Sequence, residues 1–198
     1  MTDYDIAGIN GRFLGISDPP LNEKGIKEAE LLREYLEDLP IDNVYTSRSQ
    51  RCQQTADIII GHRNLTKTVD HLMNEVDYGD WEGLTKGEII QQFPVEWKNF
   101  ENNPISNVPP LGESAQACTE RAIEWINKVQ CQLGLAIVEK TWLRLLICKI
   151  VGIPLERYRD ALDIKIASIT CLLYTNRGWR IESLNLVATK RRIFGINI

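Results

Sequence analysis

The amino-acid sequence predicts an α/β fold with an antiparallel edge at its C-terminal end. Segments with the apolar spacing of helices alternate with short strand-like runs along most of the 198 residues. Residues 133–138 form an apolar run of strand length, the pattern of a strand buried in a parallel sheet. Near the end, Thr175-Asn176-Arg177-Gly178 separates two strand-like runs, 166–174 and 179–184, and marks a hairpin.

Residues 1–21 are rich in Gly, Asp, Asn and Pro, lack periodicity and read as loop. A helix follows over residues 23–39, with Ile26, Ala29, Leu32 and Leu36 on one stripe. Val44-Tyr45 is a short strand, and residues 47–60 form a second helix that turns Cys52, Ala56 and Ile59 inward. Residues 66–72 make a weak strand. Thr85 and Glu88 have capping-box spacing: the hydroxyl accepts the amide of residue 88, and the carboxylate reaches back. The helix they open runs to Phe93, where Pro94 interrupts it, and residues 95–101 continue it by another turn or two. Prolines 104, 109 and 110 make residues 102–112 a loop or lid. Ser114 caps a helix carrying Cys118, Ala122, Trp125 and Val129 on its inner face. A last helix, residues 141–151, is closed by Gly152 and Pro154.

Hydrophobic residues make up 43% and charged residues 25% of the chain, the balance of a soluble globular protein, and the length suits one domain spanning residues 1–198. The net charge of −4 argues against a nucleic-acid partner. The basic cluster Lys190-Arg191-Arg192 reads as a solvated tail. Cys52, Cys118, Cys131, Cys148 and Cys171 are odd in number and lack C-x-x-C spacing, which fits free thiols in a reducing compartment. His62 and His71 have no neighbour at metal-ligand spacing. The acidic start has no apolar leader, and the apolar run 143–151 is too short to span a bilayer. The expected setting is cytoplasmic, with no membrane partner.

Four segments carry the chemistry. They are Gly11-Arg12-Phe13-Leu14-Gly15 with its Pro20-Leu21-Asn22 continuation, Tyr45 to Ala56, Leu72 to Gly83, and Pro109 to Ser114. Arg51 falls in the first turns of a helix that follows a strand, where its guanidinium and the free helix amides can converge on one anion. A surface salt bridge is the plainer reading of such an arginine. Glu75 precedes a Gly-rich aromatic turn, where partial burial against Tyr78 or Trp81 would raise its pKa toward acid catalysis. Viewed alone, it reads equally as a solvated loop carboxylate. Trp81 is a packing anchor rather than a ligand platform.

In their order and spacing, these segments resemble the histidine phosphatase (phosphoglycerate-mutase-like) superfamily from Gly11 to about Asn185. The short G-x-W-E-G stretch and the modest length are similar to its small phosphatase branch, which includes α-ribazole-phosphatase-like proteins. The resemblance implies a three-layer α/β/α sandwich on a mostly parallel sheet. It makes Arg51 a phosphate-binding arginine and Glu75 the proton donor to the leaving group, with Leu14 and Gly15 lining the substrate mouth. It implies a phosphorylated small molecule as ligand and no metal or organic cofactor. It leaves the oligomeric state open.

The chain departs from the family's pattern at both catalytic histidines. The nucleophile lies in an R-H-G motif ending the first, central strand, and no R-H-G is present. An ungapped register puts Thr2 at that position, and treating Gly8-Ile9-Asn10 as an insertion aligns residues 2–5 just after the motif. The second histidine follows a strand ahead of an arginine-bearing helix; spacing to Arg144 puts Glu139 there. A carboxylate at that point repels a phosphate dianion. The expected consequence is an irregular N-terminus over residues 1–10 and a perturbed sheet, the first central strand being absent. The leading functional expectation is a phosphomonoester hydrolase by descent, inactive or severely impaired. The alternatives are a non-catalytic anion-binding or protein-interaction module and a truncated form of an active phosphatase or mutase. Activity through His62 or His71 is the remaining option.

Overall fold

The computed structural model describes residue 1 and residues 11–129 and 131–188. The expected irregular stretch 2–10 and the basic cluster 190–192 lie outside the described residues. The elements in chain order are α1 (Glu23–Leu36), β1 (Asn43–Thr46), α2 (Gln50–Ile60), β2 (Thr66–Val69), α3 (Lys86–Gln92), α4 (Pro94–Asn102), α5 (Ala115–Lys128), β3 (Gly134–Ile137), α6 (Lys140–Val151), β4 (Ser168–Thr175) and β5 (Gly178–Val187).

β1 is the middle of a parallel sheet of order β2-β1-β3, in which Val44 lies between Lys67 and Leu135, and Thr46 between Val69 and Ile137. Side chains alternate across this sheet. Val44 packs with Leu32 and Leu36 of α1 and Ala56 and Ile59 of α2. Tyr45, on the opposite face, meets Trp125 of α5 edge-on at 5.7 Å between ring centroids. Helices therefore cover both faces, as the α/β reading requires. β4 and β5 form an antiparallel hairpin, and among the described residues they pair only with each other. The perturbation expected at the first central strand concerns residues 2–10, which lie outside the described residues.

Residues 133–138 are not the doubly buried strand that their composition predicts. Gly134 and Ala136 are exposed, and Leu135 and Ile137 are half-buried. Among the described residues, β3 pairs with β1 alone.

Helix boundaries follow their caps. Asn22 accepts the Gly25 amide, Ser49 the Cys52 amide and Ser114 the Ala117 amide. The Thr85–Glu88 box is reciprocal, as expected. α1 ends at Leu36 rather than residue 39, because Pro40 disfavours helical geometry at the residue before it. Ile26 is 41% exposed, so Gly25 rather than Ile26 starts the buried stripe. α2 starts at Gln50 rather than residue 47, since the Ser49 hydroxyl is its cap. The strand expected over residues 66–72 ends at Val69. There the Asp70 carboxylate accepts the Leu72 amide and turns the chain into a 3₁₀ segment, His71–Met73. Pro94 separates α3 from α4, and Gly152 closes α6 in the left-handed region.

Phe13, Tyr78, Trp81, Trp97 and Phe100 form one edge-to-face aromatic cluster, which fixes the turn after Glu75. Trp81 is fully buried within it, a packing anchor as expected. Cys52, Cys118 and Cys148 are buried free thiols. Among the described residues, no helix is long and apolar enough to cross a membrane.

Candidate active site

β1 ends at Thr46, which with the following Ser47 has no exposed surface, and the Ser49 cap then places Arg51 in the first turn of α2. Arg51 is 8% exposed, so its charge has to be met by protein groups. Nη1 donates to the Ser17 carbonyl at 2.8 Å, and Nη2 to the Gly15 carbonyl at 3.3 Å. Nη2 also pairs with Glu139 Oε1 at 2.9 Å. The half of the fork that could grip an anion is already held by a carboxylate.

Glu139 stands between β3 and α6, at the cap position of that helix, yet its side chain makes no cap bond. Its Oε1 accepts the Ser47 hydroxyl at 3.4 Å as well as Arg51. Its Oε2 is buried and meets no hydrogen-bond donor among the described residues. Lys140, next in the chain, pairs with Asp163 at 3.7 Å.

Glu75 takes over the capping that Glu139 leaves undone. Oε2 accepts the Thr141 amide at 2.9 Å, and Oε1 accepts the Trp142 amide at 2.8 Å and the Val76 amide at 2.9 Å. Burial, and then the charge of Glu139, push its carboxyl from the ordinary 4.5 up to about 7, against amide bonds that favour the charged form. The burial that the sequence suggested is real. The N-terminus of α6 meets this carboxyl directly through the Thr141 and Trp142 amides, and the Tyr78 hydroxyl pairs with Thr141 at 2.9 Å.

A cavity of about 1320 Å³ opens onto these groups, with Arg51, Glu75, Glu139 and Leu14 on its wall. Gly15, expected beside Leu14 at the mouth, is buried and is not part of that wall. Its role is backbone: a Cβ there would lie 1.9 Å from the Val76 carbonyl oxygen, so only glycine fits. His62 and His71 are exposed and absent from the cavity wall. Cys52 is on the wall, but burial and the charge of Glu139 push its thiol upward, away from the reactive thiolate. Among the described residues, no group of three His, Cys, Asp or Glu side chains is placed to hold a metal ion.

The model of the histidine phosphatase superfamily, branch 1, matches residues 4–187 of the chain. This protein belongs to the histidine phosphatase superfamily. Across 190 residues it is 29% identical to the adenosylcobalamin/alpha-ribazole phosphatase of Escherichia coli, a match covering 89% of this chain and 94% of that one. A phosphoglycerate mutase of Schizosaccharomyces pombe is 36% identical over 118 residues, 57% of this chain and 56% of the mutase. Among solved structures, Bacillus stearothermophilus YhfR superposes with a TM-score of 0.83 at 28% identity, over 91% of this histidine phosphatase homologue and 90% of YhfR. The alpha-ribazole phosphatase from Shigella flexneri superposes with a TM-score of 0.86 at 24% identity, over 97% and 95% of the two chains, and shares the fold.

Two residues essential to the site's shape were missed by sequence reasoning. Glu82, inside the G-x-W-E-G stretch, accepts the amides of Gly15, Ile16, Ser17 and Tyr78 and so ties the loop carrying the Arg51 acceptors to the aromatic turn. Its place between Trp81 and Gly83, beside the turn that follows Glu75, was the available signal. Arg121 of α5 donates to the carbonyls of Leu72, Asn74 and Glu75 and pairs with Glu113 at 2.8 Å, holding the segment that presents Glu75. Nothing local in the sequence marks it, because the carbonyls it holds lie almost fifty positions away, and Glu113, eight positions back, shares no helix with it.

Proposed function

We propose that this histidine phosphatase homologue is a phosphomonoester hydrolase by descent whose own chain turns over phosphorylated small molecules severely slowly or not at all. The observation that carries the reading is the Arg51–Glu139 contact at 2.9 Å. Within the proposal, Arg51 is the phosphate-binding group and Glu75 the proton donor. A carboxyl near 7 is half-protonated around neutrality and is placed beside the same cavity. Glu139 occupies the remaining histidine position and, as an anion on the arginine fork, competes with the phosphoryl oxygens it would have to bind. Without an imidazole on the cavity wall, the covalent route through a phosphohistidine has no nucleophile. The relatives' names point to phosphorylated metabolites as the ancestral substrate class.

Turnover of a generic aryl phosphate, from mildly acidic to neutral pH, tests this reading, with Glu139→His run in parallel. Neither protein exceeding a boiled control is the expected result. Many turnovers by the unmodified chain would overturn it and direct mutagenesis to His62 and His71.

A further inference from the structure

Two carboxyls and a single guanidinium meet at the start of α6. Arg51 pairs with Glu139 at 2.9 Å, and their side chains are 9% and 10% exposed. Glu75 accepts two amides from the first turn of that helix and is 7% exposed. All three line one cavity. Each carboxyl has one oxygen with bonding capacity left. Glu75 Oε1 accepts the Val76 and Trp142 amides, whereas Oε2 accepts the Thr141 amide. Glu139 Oε1 takes the Arg51 and Ser47 donors, and its buried Oε2 meets none among the described residues. Buried carboxyls that feel each other's charge hold a proton more readily than either does alone.

The other titratable groups around this pair keep one charge state between about pH 5.5 and about pH 8. Burial pushes the Tyr78 and Tyr158 hydroxyls and the Cys118 and Cys52 thiols up, beyond that window. Arg121 of α5 and Arg144 of α6 stay charged, as arginine does throughout it. Asp18 lies 3.9 Å from Arg51 and is 46% exposed. His62 and His71 are exposed and off the cavity wall.

We infer that the Arg51 site is proton-gated: a dianion enters it together with a proton, which the Glu75–Glu139 carboxyl pair takes up. The inference rests on the reading of Arg51 as the phosphate-binding group. An oxyanion that takes Nη2 from Glu139 brings a third negative group to a buried cluster with one guanidinium. Such a cluster holds together only if a carboxyl becomes neutral. Anion and proton therefore strengthen each other's binding by the same factor. The site is shut at neutral pH and above and opens as the pH falls.

Sulfate is the probe, because it stays a dianion across the window. Calorimetric titration into the full chain should give a Kd of about 10 mM near pH 5.5, and binding weaker by about tenfold or more near pH 8. Glu75→Gln, checked for folding by circular dichroism, should bind with nearly one affinity at both pH values. Glu139→Gln should bind more tightly near pH 8 and show a smaller pH dependence. Asp18→Asn should keep the parent's pH dependence, and Arg51→Ala should abolish saturation. Equal parent affinities at the two pH values, or no saturation near pH 5.5, overturns the inference. So does a pH dependence that Glu75→Gln and Glu139→Gln both keep, or saturation that survives Arg51→Ala. Turnover of an aryl phosphate by the parent would overturn the reading on activity and leave the sulfate profile untouched, so the two failures are distinguishable.

Discussion

Raising the pH from about 5 to about 8 should destabilise this protein through a single buried carboxyl, Glu75. Its folded-state pKa of about 7 lies above the ordinary 4.5, so the folded protein holds this proton more tightly than the unfolded chain. The stabilisation is complete below 4.5 and is lost as pH rises through 7. A difference of about 2.5 units at about 1.4 kcal/mol each gives a loss of about 3 kcal/mol over that window. Glu88 and Asp160, whose carboxyls are held below their usual range by the Thr85 and Arg157 contacts respectively, lose their contribution as pH falls through their own folded pKa values, on the acidic side of the window. Urea unfolding midpoints at steps across the window, for the parent and Glu75→Gln, provide the assay. The parent's stability should fall, and the variant's slope should be flatter by most of that amount, although the variant starts lower because one amide loses its carboxylate acceptor. Glu139→Gln should move the parent's decline to lower pH, since the charge of Glu139 is the second cause of the shift. Equal slopes in the parent and Glu75→Gln would refute the assignment of the pH dependence to this carboxyl.

Three further outcomes test the scaffold of the site. Gly15→Ala should destabilise by about 3 kcal/mol in chemical denaturation, because its Cβ meets the Val76 backbone at 1.9 Å, where nothing flexible can yield. Arg121→Ala removes the donors to three carbonyls and the partner of Glu113, and should cost about 3 kcal/mol by the same measurement. Glu82→Ala should accelerate hydrogen exchange at Gly15, Ile16 and Ser17 by about tenfold or more while leaving β1 protected, because those amides share its carboxylate.

The fold was legible where the chain's information is local. Thr85 and Ser114 were legible as caps, because their side chains act within a few residues, and each marks a true helix start, whereas the Ser49 cap went unread and left the start of α2 three residues early. The strand over residues 133–138 was legible as a strand but not as a half-exposed one, because burial depends on the neighbour across the ladder rather than on its own composition. Arg51, Glu75 and Glu139 were legible as a set through the family resemblance, and the structure brings all three to one cavity wall. Their mutual relation was not legible. Sequence reasoning set Glu139 against a phosphate, while in the structure it pairs with Arg51 and lends its charge to the titration of Glu75. Ion pairing across eighty-eight positions leaves no periodic trace in the chain, and neither do the long-range bonds of Arg121.

The account's central claim is that Glu139, rather than a phosphate, satisfies the Arg51 fork. Calorimetric titration of inorganic phosphate into the parent chain and into Glu139→Gln, at neutral pH and low salt, tests it most directly. The account predicts no saturable heat for the parent up to about 10 mM phosphate, and a gain of about tenfold or more in affinity for Glu139→Gln. Tight phosphate binding by the parent, unchanged in Glu139→Gln, would contradict it.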